Sequence, residues 1–104
     1  MGLKTIGEII REQRESKGML LKEVATALDV DLSLISRIER GDKRPKRAHL
    51  TKLSQILQID EKELIIAYLS DRLVYEIRGE DLASEALKMA EEKVNYLKRP
   101  NRGL

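Results

Sequence analysis

Six cations crowd the stretch from Arg37 to Arg47: Arg37, Arg40, Lys43, Arg44, Lys46 and Arg47. Such side chains hold anions. A guanidinium is a rigid fork of donors that matches phosphate or the paired acceptors of guanine, and an ammonium is a compact point charge. Their surroundings sharpen the signal. Residues 32–52 carry seven basic groups against two acidic, whereas residues 1–31 carry five against six and residues 53–97 five against ten. A net charge of +2 therefore hides a concentrated positive block in a mildly acidic chain, and the implied partner of that block is a polyanion. A merely solvated surface would mix the two signs, as the rest of the chain does.

Other chemistries find less material. The chain has no Cys and a single His, His49, which removes thiol nucleophiles, disulfides and zinc–thiolate centres. No Ser stands in a context that would activate it, and the carboxylates follow helix-surface spacing. The reading is a non-enzyme with no cofactor and no metal, in which His49 is structural or phosphate-facing. Tyr68, Tyr75 and Tyr96 all lie outside the positive block, so no stacking platform for RNA or single strands accompanies the cations. The longest apolar run, Leu64 to Leu69, is too short to span a bilayer, and the first residues lack the layout of a secretory signal. With no Cys, the expected setting is the cytoplasm, in association with a bacterial nucleoid and without a membrane partner.

Helices must position these groups. Ala, Leu, Ile, Glu, Lys and Arg dominate, and nothing alternates with period two, so the predicted class is all-α around one core. Thr5-Ile6-Gly7-Glu8 reads as a capping box that opens a first helix, with Ile6, Ile9 and Ile10 inward and Gly18 as the stop after Lys17. A second helix, about Lys22 to Leu28, turns Val24, Ala25 and Leu28 inward. Asp31 is placed to cap a third helix, its carboxylate accepting free backbone N–H groups, and Gly41 stops that helix after Arg40. Pro45 keeps residues 42–47 a loop. A fourth helix, about Ala48 to Leu57, sets Leu50, Leu53, Ile56 and Leu57 at core spacing. Asp60-Glu61-Lys62-Glu63 opens a fifth that runs through Ile77, Gly79 breaks it, and a sixth spans about Asp81 to Lys98.

Two short helices joined by a tight turn, the second followed by Gly and a basic loop, form the layout of a helix-turn-helix. The segment from Lys22 to Gly41, above all Ile35-Ser36-Arg37-Ile38-Glu39-Arg40-Gly41, resembles the Cro and phage-repressor (XRE-like) helix-turn-helix regulators, and the resemblance covers Leu3 to about Leu69. It implies a five-helix lambda-repressor-like domain that binds double-stranded DNA, with the third helix in the major groove. It also implies that Leu32, Ser33, Ser36 and Arg37 face the bases. There Arg37 suits the two acceptors of guanine and Leu32 a thymine methyl. Arg40, Lys43, Arg44, Lys46 and Arg47 fit phosphate contacts, which give affinity and register. The resemblance further implies a buried ion pair between Arg14 and Glu39 that fixes the angle of the groove helix.

Four positions depart from the family pattern. Leu20 and Leu21 replace a Ser or Thr cap and a phosphate-binding Gln, Asp29 replaces the turn Gly, and Gln13 stands where the first helix usually has a core Leu. Beyond the resemblance, residues 64–77 are apolar on too many sides for one small domain, and the sixth helix carries Leu82, Ala86, Leu87, Ala90, Val94 and Leu97 as a stripe. That stripe either folds back on the fifth helix or helps to build a two-fold dimer. A homodimer through the fifth and sixth helices is the expectation, because it matches a palindromic operator. The organisation expected is thus a helix-turn-helix domain over 3–69, a helical dimerisation extension over 70–98 and a basic flexible tail over 99–104. The function expected is a dimeric transcriptional regulator, in particular a repressor. The alternative is an antitoxin or restriction-modification controller whose C-terminal helices bind a protein partner.

Overall fold

A computed structural model describes residues 3–99. Thr5 and Glu8 close a reciprocal cap at the start of α1 (Ile6–Ser16): the Thr5 hydroxyl accepts from the Glu8 N–H at 3.2 Å, and the Glu8 carboxylate accepts from the Thr5 N–H at 2.9 Å. Two orphan donors of the helix end are thereby satisfied. Gly18, at φ +67°, ends the helix in the left-handed region. Five more helices follow: α2 (Leu21–Leu28), α3 (Leu32–Glu39), α4 (Arg47–Leu57), α5 (Glu61–Ile77) and α6 (Ala83–Leu97). No strand occurs among the described residues. The all-α class holds, with five helices in the lambda-repressor-like arrangement followed by a C-terminal amphipathic helix. The starts of α2, α4 and α6 lie one or two residues from the positions the spacing suggests.

Two compact units divide the chain, one up to Leu73 and one from Val74 onward, with the division inside α5. The first unit holds the core. Ile6 and Ile10 from α1, Val24, Ala25 and Leu28 from α2, Ile35 and Ile38 from α3, Leu50, Leu53 and Leu57 from α4, and Leu64 and Ala67 from α5 are all buried. The inward rows predicted for α1 and α4 are the buried ones, except that Ile9 and Ile56 are only half-buried. Truncating a fully enclosed member such as Leu53 costs about 2–5 kcal/mol, through lost transfer energy and the cavity left behind. In the second unit α6 has no buried residue, and Leu82, Leu87, Val94 and Leu97 of its stripe are exposed. Residues 100–104 of the predicted basic tail lie outside the described residues.

Candidate nucleic-acid interface

The turn between α2 and α3 is made by Asp29 in the left-handed conformation (φ 61°, ψ 49°), an angle that Asp tolerates better than most residues. The Val30 N–H reaches back to the Ala25 carbonyl at 3.0 Å and closes the end of α2. At the start of α2, Leu20 has no polar side chain to offer. Only half of a capping box forms, the Glu23 carboxylate accepting from the Leu20 N–H at 2.7 Å. Asp31 occupies the N-cap of α3 with extended backbone, but its carboxylate makes no cap hydrogen bond. The expectation of a side-chain cap there is corrected.

α3 packs on α1 and α2 through Ile35 and Ile38, and the periodicity leaves Leu32, Ser33 and Arg37 exposed. Leu32, half exposed at the first turn, Ser33 and Arg37 thus lie on the free side of the helix. Ser36 is half-buried, and its hydroxyl accepts from the Arg40 guanidinium at 3.3 Å. Arg40 also pairs with Asp42, Nε to Oδ2 at 3.1 Å, so its fork is partly engaged within the protein. Lys43, Arg44, Lys46 and Arg47 are exposed, around a buried Pro45. The loop is tied to α3 by its own backbone: Gly41, at φ +82°, donates to the Ile38 carbonyl, and the Arg37 carbonyl accepts from both Asp42 and Lys43.

The loop runs directly into α4, whose N-cap is Lys46 and whose first residue is Arg47. That helix start has no side-chain cap and no acidic residue in its first turn. The His49 N–H turns to the Lys46 carbonyl at 2.9 Å, and the positive end of the helix dipole falls at two cationic residues with no carboxylate to offset it, an arrangement that favours an anion. His49, in the same turn, is half-buried and its Nδ1 has no hydrogen-bond partner among the described residues.

Behind the exposed face, Arg14 and Glu39 form a two-pronged pair, Nε to Oε2 at 2.7 Å and Nη2 to Oε1 at 3.0 Å. The side chains are 12% and 5% exposed. A third donor of Arg14 reaches the Met19 carbonyl at 2.8 Å. The hydrogen bond to Glu39 pushes the Arg14 guanidinium further up from its ordinary value, against the desolvation of its partial burial. The pair locks α1 to the last turn of α3.

Three features of this scaffold were not anticipated. Gln13, in place of the family's core Leu, donates its amide to the Leu57 carbonyl at 2.8 Å and satisfies an orphan acceptor at the end of α4. Gly7 is buried where α1 crosses the end of α3, and a Cβ there would stand 2.2 Å from the Ile38 carbonyl oxygen. Its signal was in the sequence, since Gly inside a helix costs about 1 kcal/mol relative to Ala and needs a packing reason. Asp71 on α5 accepts from the Ile6 N–H at 2.8 Å. Here the only signal was a carboxylate in a segment that is otherwise largely apolar.

Among the described residues no His, Cys, Asp or Glu grouping could hold a metal ion, and no helix is long and apolar enough to cross a membrane. Residues 10–64, which include α2, α3, the basic loop and α4, match the family model described as helix-turn-helix. The chain is also similar to the transcriptional regulator ClgR from two strains of Mycobacterium tuberculosis, 33% identical over 63 residues in each case, or 61% of this chain. It spans about half the length of these curated relatives, 56%. No solved structure matches. With the turn geometry, the exposed face of α3 and the family match over more than half of its length in agreement, the chain belongs to the helix-turn-helix family of DNA-binding domains.

Proposed function

We propose that the protein is a sequence-specific, double-stranded DNA-binding transcriptional regulator of the cytoplasm, a repressor that binds a palindromic operator as a homodimer. The observation that carries this reading is the free face of α3 beside a cationic loop and an uncapped cationic helix start. In this assignment α3 enters the major groove. Arg37 reads guanine, Ser33 and Ser36 exchange hydrogen bonds with base edges, and Leu32 meets a thymine methyl. Arg40, Lys43, Arg44, Lys46 and Arg47 grip phosphates, Arg40 by exchanging its exposed pair with Asp42 for the backbone. The Arg14–Glu39 pair holds the angle of α3. The relatives' description as transcriptional regulators supports the same reading.

The homodimer is assigned to α5 and α6, the extension over 70–98. Ile66, Leu69 and Leu73 on α5, and Leu82 at the cap of α6 with Leu87 and Val94 on it, are large apolar side chains left exposed in the single chain, more than scattered surface residues require. The same exposure supports a second reading, an antitoxin or restriction-modification controller in which α6 takes a protein partner.

Selection of bound duplexes from a randomised pool tests the proposal. The expected outcome is one enriched motif with two-fold symmetry, its half-sites about one helical turn or a multiple apart. A selected pool that stays random would overturn the reading, and an enriched motif without symmetry would remove the dimer.

A further inference from the structure

The groove helix is held from behind by α1 at two points. Near the start of α1, the absent side chain of Gly7 lets the helix approach the Ile38 and Glu39 carbonyl oxygens, which a Cβ would meet at 2.2 and 3.0 Å. Two turns on, Arg14 grasps Glu39. A helix fixed at two points about 10 Å apart cannot tilt without carrying the last turn of α3 with it. What fixes α1 itself at its leading end is Asp71 of α5, 65 residues away in sequence, whose carboxylate accepts the Ile6 N–H. A charged acceptor at a helix N-terminus combines a strong hydrogen bond with a favourable dipole interaction. Thr5 and Glu8 already cap that end locally. The long-range acceptor is therefore not needed to start the helix, and what it adds is the location of the helix against α5.

We propose that Asp71 is a positioning residue for DNA reading: by anchoring the first N–H of α1 to α5, it sets the helix that holds α3 in register. Asp71 lies between Leu69 and Leu73 in sequence, both exposed on α5, so the anchor sits on the element assigned above to assembly. The inference rests on the assignment of α3 as the groove helix.

The test uses the full chain with Asp71→Ala and Asp71→Asn, the latter keeping size and an acceptor oxygen. The probes are a duplex selected by the wild-type chain and a scrambled duplex of the same composition, at a temperature where all three proteins are folded. Asp71→Ala should bind the selected duplex about tenfold more weakly while its affinity for the scrambled duplex holds, because register matters to base reading and little to charge attraction. Asp71→Asn should recover most of the difference. In the absence of DNA, amide resonances of Ile38 to Gly41 should shift in Asp71→Ala and return towards wild type in Asp71→Asn. A lowered melting temperature with unchanged selectivity and no shift at Ile38 to Gly41 would reduce Asp71 to a stability contact and overturn the inference. If the wild-type chain discriminates no duplex, the functional assignment fails, and the resonances of Ile38 to Gly41 alone decide whether Asp71 positions α3.

Discussion

α1 and α4 are both eleven-residue helices, and their beginnings are built in opposite ways. α1 starts on a Thr cap, has Glu8 in its first turn and receives a further carboxylate from Asp71. α4 starts on Lys46 and Arg47 with no cap from a side chain. The first helix carries the anions that its N-terminus calls for, whereas the second sets cations at a start without a side-chain cap, an arrangement that destabilises the helix taken alone. The unequal treatment teaches where the molecule is complete by itself and where it is shaped for something that brings negative charge. It supports the assignment of the α4 start and its loop as a phosphate-gripping edge.

The most forceful way to break this contrast is to give α4 the cap that α1 has. Lys46→Asp combined with Arg47→Glu should stabilise the folded chain by about 0.5–1 kcal/mol, through a side-chain acceptor and favourable dipole charge. The same change should weaken DNA binding on the order of a thousandfold at low salt, because it removes two cations and adds two repulsive charges in each protomer. Thermal unfolding and fluorescence anisotropy on one preparation report both numbers, and a stabilised protein that binds as well as wild type would end the assignment. Next in size, Arg37→Ala should cost about 1–3 kcal/mol on the selected duplex and much less on a scrambled one. Equal losses would move Arg37 from reading bases to attracting phosphates. Smallest, Thr5→Ala should lower stability by about 1 kcal/mol, as loss of a helix cap does, while the salt dependence of DNA binding keeps its slope. A changed slope would show that the α1 start also feels the polyanion.

Much of the scaffold was legible because its causes are local. Gly18 and Gly41 end helices where left-handed backbone is needed, and the spacing of Ile35 and Ile38 set the inward face of α3. The charge division along the chain located the basic loop without any knowledge of its shape. What escaped the reading depends on partners distant in sequence. Gln13 reads in the sequence only as a departure from a core Leu, because nothing near it announces that the Leu57 carbonyl lies within reach. Gly7 reads in the sequence only as part of the capping box, since its close approach to Ile38 exists only once α1 and α3 have docked. Asp31 failed in the other direction: its residue type suits a cap and its backbone is placed for one, yet the side chain makes no such bond. Among the site residues, the charges were visible in composition, but the turning of Arg40 towards Asp42 and Ser36 was not.

Pro45 is enclosed, and the carbonyl of Arg37 takes two N–H groups from the segment that precedes it. The cationic loop is therefore constrained within the single chain, by a ring-locked dihedral and by hydrogen bonds to α3. In the proposed DNA complex such constraint leaves less ordering entropy to be lost. The heat-capacity change of association should accordingly follow the apolar area covered, without the larger contribution that accompanies a segment folding on contact.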